Sequence, residues 1–313
     1  MNELDPKLGP NLFIVGAPKC GTTAICAYLK THPDIFFHPD KKEPHHYNTD
    51  MPGFLWYSKR TAYLKLFASA EANAAQFRGD ASVQYLYSTE AAANIASDVP
   101  DARILICLRA SASFIRSYHN QMLVNLDEDL TDLAAAWDVS GTFRTVAREP
   151  RLLDYKSVGL FAEQIARYRK VFPDKQIRIL TLEEFSADPA SHYRAILYWL
   201  GLPDDGREDF GRVHSAVSLR SRRLAGLLKR PPPLMRILVG LVKRTFGVKS
   251  LGLAKLATRA NKIEGYSTAE LDPDIAEIIS HHYANDQDAL AKHHDLWLVQ
   301  RSGNDVEEIK SSQ

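Results

Sequence analysis

The sequence predicts an α/β fold in three layers, a central parallel sheet flanked by helices, with a helical portion at the C-terminal end. Three observations predict it. Short runs that are apolar on both faces, such as Asn11 to Val15 and Ile104 to Leu108, recur along the first two thirds of the chain. Segments of helical periodicity separate them, the alternation expected of parallel strands covered on both sides. The first run passes through a glycine-bearing turn straight into a helical segment, and no internal repeat interrupts the order.

Each element follows from local signals. Asn11 to Val15 is the first strand and ends at Gly16; a helix from about Gly21 to Lys30 stops before His32, which precedes Pro33 and is biased away from helix. "PDIFFHPDKKEPHHYN" is too rich in proline and charge for one regular element and reads as a loop around a short apolar strand. Residues 59 to 75 read as helical, "QFRGDASVQYLY" as a strand entering a loop, and Ser88 to Ser97 as an alanine-rich helix. "ARILICLRA" is the clearest buried strand, cut off by Arg109 and followed by a helix through Phe114, Tyr118 and Met122. Residues 158 to 172 are helical up to Phe172-Pro173, "QIRILTLEEF" is a strand leading to a turn, and "ASHYRAILYWLGL" is a helix closed by Gly201.

After about residue 206 the character changes. Gly211 to Ile263 holds no Asp or Glu, while Arg and Lys recur. Within it, "PPPLMRILVGLVKRTFG" places Arg236, Gly240, Lys243 and Gly247 on one narrow helical face. The segment is too short to span a bilayer and would lie on a membrane or pack on the core, so residues 220–247 are the candidate for peripheral membrane contact. Thr268 to Trp297 returns to acidic, amphipathic helix patterns. The expected organisation is a core over residues 1–205 and a basic, then helical portion over 206–313 that completes the same domain.

The composition narrows the class. With 313 residues, 45% hydrophobic, 25% charged and a net charge of +1, the chain is expected to be a soluble globular protein with a sizeable core and no global attraction to nucleic acid. Cys20, Cys26 and Cys107 are in no metal or redox spacing, so a reducing, cytoplasmic location is the simplest expectation. The start, "MNELDPKLGPNLFIVG", reads as neither a signal peptide nor an anchor. The pairs His45-His46, His281-His282 and His293-His294 lack carboxylate or cysteine neighbours at ligand spacing, and no metal is expected.

The chemistry concentrates in two stretches. In "FIVGAPKCGTTAICAYL", a strand, a glycine turn and a helix N-terminus make an anion cradle of backbone N–H groups. Gly16 and Gly21 have the spacing of the two Walker A glycines, which would demand Lys at 22 and Ser or Thr at 23. The residues there are Thr22 and Thr23, and the lysine stands three places earlier, at Lys19. The plain alternative is a strand-to-helix turn carrying a solvated lysine. In "CLRASASFIRSYHN", Arg109 follows a buried strand and Ser117 lies eight residues on, so a guanidinium and a hydroxyl stand where α/β sheets present ligand-binding residues. The plain alternative is an arginine that caps a strand and pairs with a surface acid. Cys20 reads as a small loop-filling side chain, and Trp56, Tyr57, Tyr63, Tyr85 and Tyr87 as either core or a stacking surface for a sugar.

Together these stretches resemble the sulfotransferases that use 3′-phosphoadenosine 5′-phosphosulfate (PAPS). "APKCGTTAICAYL" resembles their 5′-phosphosulfate loop, "LRASASFIRSYHNQ" their 3′-phosphate segment, and "DKKEPHHYN" the "KEPHFF"-like stretch of carbohydrate-directed and bacterial members. "GDASVQYLY" is similar to their "E-x-S-P-x-Y" stretch, and the likeness extends in the family's order from about Phe13 to Leu202. Two departures stand out: Asp80 in place of the frequent Glu, and Val83 where proline usually follows the serine. The basic C-terminal motif of the small-molecule enzymes is absent.

The resemblance implies a P-loop-like fold and a donor site of Pro18, Lys19, Cys20, Gly21, Thr22, Thr23, Arg109 and Ser117. The basic segment with Arg220, Arg222 and Arg223 either closes over the 3′-phosphate, with Arg222 as the candidate, or binds an anionic or membrane-associated acceptor, the plain alternative being a solvated helical face. The resemblance also implies that Lys19 reaches the bridging oxygen where negative charge grows. Glu43 would be the base that deprotonates an acceptor hydroxyl, Lys41 or Lys42 would keep it ionised, and His45 or His46 is the alternative base. The implied acceptor is a small molecule, a carbohydrate or a lipid-linked group; oligomeric state stays open. Two other classes remain: a P-loop kinase or other NTP-dependent phosphotransferase, and a non-catalytic membrane-surface protein on this fold.

Overall fold

Leu12, Phe13, Ile14 and Val15 have no accessible surface. Fully burying such side chains stabilises by about 1.5–3 kcal/mol each, and only a strand covered on both faces buries four in succession. This strand, β1 (Leu12–Gly16), is the centre of a five-stranded sheet in a computed structural model that describes residues 9–144, 146–211, 217–219, 262–264 and 271–294. The strand order is β2-β3-β1-β4-β5, every pairing parallel, with β2 at Ile35–Phe37, β3 at Phe77–Asp80, β4 at Arg103–Leu108 and β5 at Ile177–Thr181. Register pairs Phe13 with both Asp80 and Ile104. The carboxyl ends of β1, β3 and β4 therefore lie side by side, and the residues that leave these ends share one edge of the sheet.

The connecting helices are α1 (Thr22–Leu29), α2 (Arg60–Leu64), α3 (Ala70–Ala74), α4 (Ala91–Asp98), α5 (Ser111–Asn125), α6 (Leu133–Asp138), α7 (Phe161–Arg169), α8 (Leu182–Ala187) and α9 (Pro189–Leu200). Gly201, at φ 75, closes α9 as its spacing predicts. Three details depart from the sequence reading. Residues 59–75 are two short helices separated by a 3₁₀ turn, because Ser69 caps Ala72 and starts α3 anew. The stretch after β5 is helix rather than turn: Thr181 and Glu184 form a capping box that opens α8. Helix α6, capped by Asp132, was not anticipated.

Beyond residue 206 the described residues comprise the 207–211 segment, a short antiparallel pair, β6 (Val217–Leu219) with β7 (Lys262–Glu264), and residues 271–294, which form two helices, α10 (Pro273–His282) and α11 (Ala284–His294). The helices dock on the core. Gln287 donates to Ser111 at the start of α5, and Tyr283 donates to the Tyr155 carbonyl. The basic 211–263 segment lies almost wholly outside the described residues, and with it Arg222 and the face of Arg236, Gly240, Lys243 and Gly247. Among the described residues no helix is long and apolar enough to cross a membrane.

Asp286 of α11 caps α7 from a distance, accepting from the N–H groups of Phe161 at 3.0 Å and Ala162 at 2.9 Å. Burial outweighs these two bonds and pushes its carboxyl up to about 6. A folded-state value above the unfolded one means stability that is full below the unfolded value and lost as pH rises through about 6. Asp286→Asn cannot ionise. Whatever constant offset it carries, its melting temperature should gain on the wild type as pH goes from 4 to 7. Thermal melts across that range check this, and a gap independent of pH would refute it.

Candidate active site

The loop after β1 is built from unusual backbone. Gly16 sits at φ 147, where a Cβ would come within 2.6 Å of the Val83 carbonyl. Lys19 is itself left-handed at φ 64, a conformation few non-glycine residues adopt, and Gly21 at φ 81 is the N-cap of α1. A Cβ on Gly21 would stand 2.8 Å from Leu182, so the turn passes close under α8. No side chain caps α1 and its first turn holds no acid, which leaves the helix dipole uncompensated at the loop. Cys20 turns its thiol inward toward the Pro18 carbonyl at 3.5 Å, and burial pushes the thiol up, so it fills the loop as a neutral side chain.

Two cations face this turn. Burial lowers the Lys19 ammonium, and the charge of Arg109 lowers it further. Burial likewise lowers Arg109, whose Nε is buried without a hydrogen-bond partner. Arg109 leaves the end of β4, and Ser117 follows half-buried on α5. Two half-buried cations within electrostatic influence of one another, one with an orphaned guanidinium N–H, are an arrangement that an anion relieves. These residues fit a phosphate-bearing ligand.

On the other side of the loop lies the 42–47 segment, which follows β2. Lys42 Nζ is 3.0 Å from Glu43 Oε1, 3.2 Å from Thr23 Oγ1 and 3.4 Å from Thr22 Oγ1. His45 Nε2 is 3.5 Å from Glu43 Oε2. Burial pushes the Glu43 carboxyl up, but the bond from His45 and the charge of Lys42 outweigh it and hold the group below its ordinary value. Its side chain is 31% exposed, so a ligand from solvent can reach it. His45 is buried to 1%, edge-on to Trp56 at 4.7 Å between ring centroids, and Trp56 is 53% exposed. His46 is half-buried, stacked on Tyr63 at 4.2 Å and bonded to the Tyr57 carbonyl; burial lowers it.

The 42–47 segment is fastened to the end of β3 by one carboxylate. Asp80, with no accessible surface, accepts at Oδ1 from the Ser82 hydroxyl (2.6 Å) and N–H (3.0 Å), and at Oδ2 from the hydroxyls of Tyr63 (2.7 Å) and Tyr85 (2.9 Å). Those hydroxyls are acceptors in turn. Ser82 Oγ receives the His45 N–H at 2.8 Å, and Tyr85 Oη receives the N–H of His46 at 2.8 Å and of Tyr47 at 3.3 Å. The Ala81 N–H reaches the Lys42 carbonyl at 3.0 Å. The backbone on both sides of Glu43 is thereby fixed. Burial pushes the Asp80 carboxyl up, its four donors only partly opposing the shift.

The structure thus brings Lys19, Gly21, Thr22, Thr23, Glu43 and His45 to one edge of the sheet, with Arg109 beside Lys19. Arg222 lies outside the described residues. Of the aromatic set, Trp56 is at the surface beside His45, whereas Tyr63 and Tyr85 are core residues that work through their hydroxyls. Sequence reasoning missed the part played by Asp80; its signal was a lone acid at a strand end with Ser82, Tyr85 and Tyr63 nearby in the chain. Among the described residues no group of three or more His, Cys, Asp or Glu could hold a metal ion.

A strand–turn–helix with an uncapped helix N-terminus, a strand-end arginine and an ionised carboxylate at the same sheet edge make an arrangement suited to a phosphate-bearing ligand. Comparison with known proteins sharpens this. The sulfotransferase domain family matches residues 9–224, and the chain belongs to it. It is 25% identical over 198 residues to the mouse heparan sulfate glucosamine 3-O-sulfotransferase 3B1, a match covering 62% of this chain and 46% of that protein. It is 24% identical over 229 residues to the Caenorhabditis elegans bifunctional heparan sulfate N-deacetylase/N-sulfotransferase 1, covering 70% and 25%. The match therefore spans less than half the length of these curated relatives. Among solved structures, a sulfotransferase from Alicyclobacillus acidocaldarius superimposes with a TM-score of 0.57 at 29% identity, over 79% of this chain and 98% of that one.

Tyr85→Phe removes the acceptor of two backbone N–H groups and one donor to Asp80. It should destabilise the fold by about 1–3 kcal/mol in denaturant unfolding. Amide exchange at His46 and Tyr47 should accelerate more than elsewhere. Unchanged exchange at these two amides would show that the hydroxyl does not hold the segment.

Proposed function

We propose that the chain transfers the sulfuryl group of PAPS to a hydroxyl of an acceptor, a carbohydrate or glycolipid, by in-line displacement with Glu43 as base. The observation that carries this reading is the bridge from the Glu43 carboxylate through Lys42 to Thr22 and Thr23, which sets a base against the anion-binding turn. Gly21, Thr22 and Thr23 would hold the 5′-phosphate by backbone N–H and hydroxyl groups, and Pro18 and Cys20 would contribute main chain to the turn. Arg109 and Ser117 would take the 3′-phosphate, a role that gives the orphaned Arg109 N–H a partner. Membership of the sulfotransferase domain family and the names of the heparan sulfate relatives support the donor and the sugar class.

The acceptor oxygen attacks sulfur as its proton passes to Glu43. The bond from sulfur to the bridging oxygen breaks, and adenosine 3′,5′-bisphosphate leaves. Charge grows on the bridging oxygen, where an ammonium in mid-turn, Lys19, acts only as the bond breaks. A Walker A lysine at position 22 would instead address a γ-phosphate. His45, on the second Glu43 oxygen, orients the carboxylate and can share the proton it collects. Exposed Trp56, edge-on to His45, offers an apolar face to a sugar ring at the mouth.

Titration with adenosine 3′,5′-bisphosphate and with ATP plus Mg²⁺ separates this reading from a kinase. At a hundredfold excess over Kd the bisphosphate should stabilise the protein by about 2.7 kcal/mol. A response to ATP–Mg²⁺ alone would overturn the reading. Lys19→Ala and Glu43→Gln should each cut labelled sulfate transfer by about 100-fold or more. Glu43→Gln should leave bisphosphate affinity nearly unchanged, and full transfer by this variant would remove Glu43 as the base.

A further inference from the structure

Lys42 has a role that the donor loop and the base do not cover between them. An ammonium carries three N–H donors, and those of Lys42 meet three acceptors: Thr22 Oγ1, Thr23 Oγ1 and Glu43 Oε1. The two threonines belong to the anion-binding turn, about 20 residues earlier in the chain, and the carboxylate is the base. The backbone carbonyl of Lys42 is held by the Ala81 N–H at 3.0 Å, so the side chain starts from a fixed point. Burial opposes the ammonium charge, yet the neighbouring Cys26 and Glu43 hold it above its ordinary value, so it stays charged.

A threonine hydroxyl has one proton to give. When its oxygen accepts from Lys42, that proton points away from the ammonium and is free for another acceptor. Lys42 therefore leaves both hydroxyls of the turn able to donate to an anion while itself lying within hydrogen-bond reach of them. We infer that Lys42 is a second donor-binding ammonium, gripping the 5′-phosphate end of the nucleotide opposite Lys19 and loosening its hold on Glu43 as the nucleotide arrives. This rests on the sulfotransferase reading. The 5′ end of the donor carries more negative charge than one carboxylate, so the ammonium shifts toward it. Glu43 then keeps His45 as partner and regains a lone pair for the acceptor proton, which ties readiness of the base to the presence of the donor.

Binding to the full chain tests this without an acceptor. Affinities for adenosine 3′,5′-bisphosphate, adenosine 5′-monophosphate and adenosine 3′-monophosphate are measured for the wild type, Lys42→Met and Lys42→Arg. Lys42→Met should weaken both ligands that carry a 5′-phosphate by about tenfold or more, leave the 3′-monophosphate unaffected, and be largely rescued by Lys42→Arg. An equal loss for all three ligands would make Lys42 a residue that merely supports the fold and would overturn the inference, as would unchanged affinities. Should Lys42→Met not fold, Lys42→Gln is read in its place. A wild type that binds no bisphosphate would instead overturn the sulfotransferase reading on which the inference stands.

Discussion

The site depends on how one buried carboxylate is satisfied. The glycine turn and the Glu43 segment arrive from different strands, β1 and β2, which do not pair with each other; β3 lies between them. Asp80, at the end of β3, bridges that gap. Its four donors are the Ser82 N–H and three hydroxyls, two of which receive the amides of residues 45 to 47. A buried anion compensated by neutral donors alone is costly, and burial accordingly pushes its carboxyl upward. The cost is tolerated because the hydroxyls couple a sheet end to a loop of irregular backbone. His45 sits at φ 53, a conformation that little besides such bonds would hold in place.

The same edge is electrostatically divided. Burial lowers both Lys19 and Arg109, and the charge of Arg109 lowers Lys19 further. Lys42 and Glu43 compensate each other on the facing side, with His45 on the outer oxygen. Coulomb interaction at these separations is worth several times more here than in bulk water, because the groups are half-buried. The fold therefore holds a pair of cations at the turn, offset in part by Glu183 near Arg109, and on the facing side a carboxylate that His45 and Lys42 keep ionised. On the proposed transfer reading, that division supplies affinity for a leaving phosphate at one end and, at the other, a carboxylate available for a proton.

Much of this was legible in the chain. The strand–turn–helix at Phe13–Leu29 and the cut of β4 at Arg109 are local signals, and the structure places both as the spacing predicts. Thr181 and Glu184 were also legible as a capping box, three residues apart, though the stretch reads as a turn when only its strand is considered. Other features were not. Nothing in the periodicity of residues 59–75 marks the break at Ser69, and α6 is six residues long, below the length at which an apolar stripe declares itself. The Asp80 hub left only the hint of a lone acid at a strand end near Ser82 and Tyr85, its bond to Tyr63 spanning 17 positions, and Lys42 joins residues 19 and 20 apart; bonds of that reach follow from the fold and leave no pattern in the sequence. Glu43 was singled out by family resemblance, because an acid in a charged loop carries no periodic signature.

The two halves of the site differ in how they are anchored, and this bears on what can change over evolution. The donor half rests on β1, β4 and α1, where glycine backbone approaches Val83, Leu86 and Leu182 too closely to admit a side chain. The base half is irregular chain held at a few amides, and it continues into Phe54 and Trp56, stacked at 6.0 Å with Arg148 over the Phe54 ring. Substituting Trp56 alters the surface beside His45 without disturbing any bond of the Asp80 hub, because its link to that segment is a backbone bond from the Trp56 N–H to the His45 carbonyl. On the proposed reading, a fold that fixes the glycine turn and the Glu43 segment through backbone, and presents exposed Trp56 beside them, can exchange acceptors while the transfer chemistry stays constant.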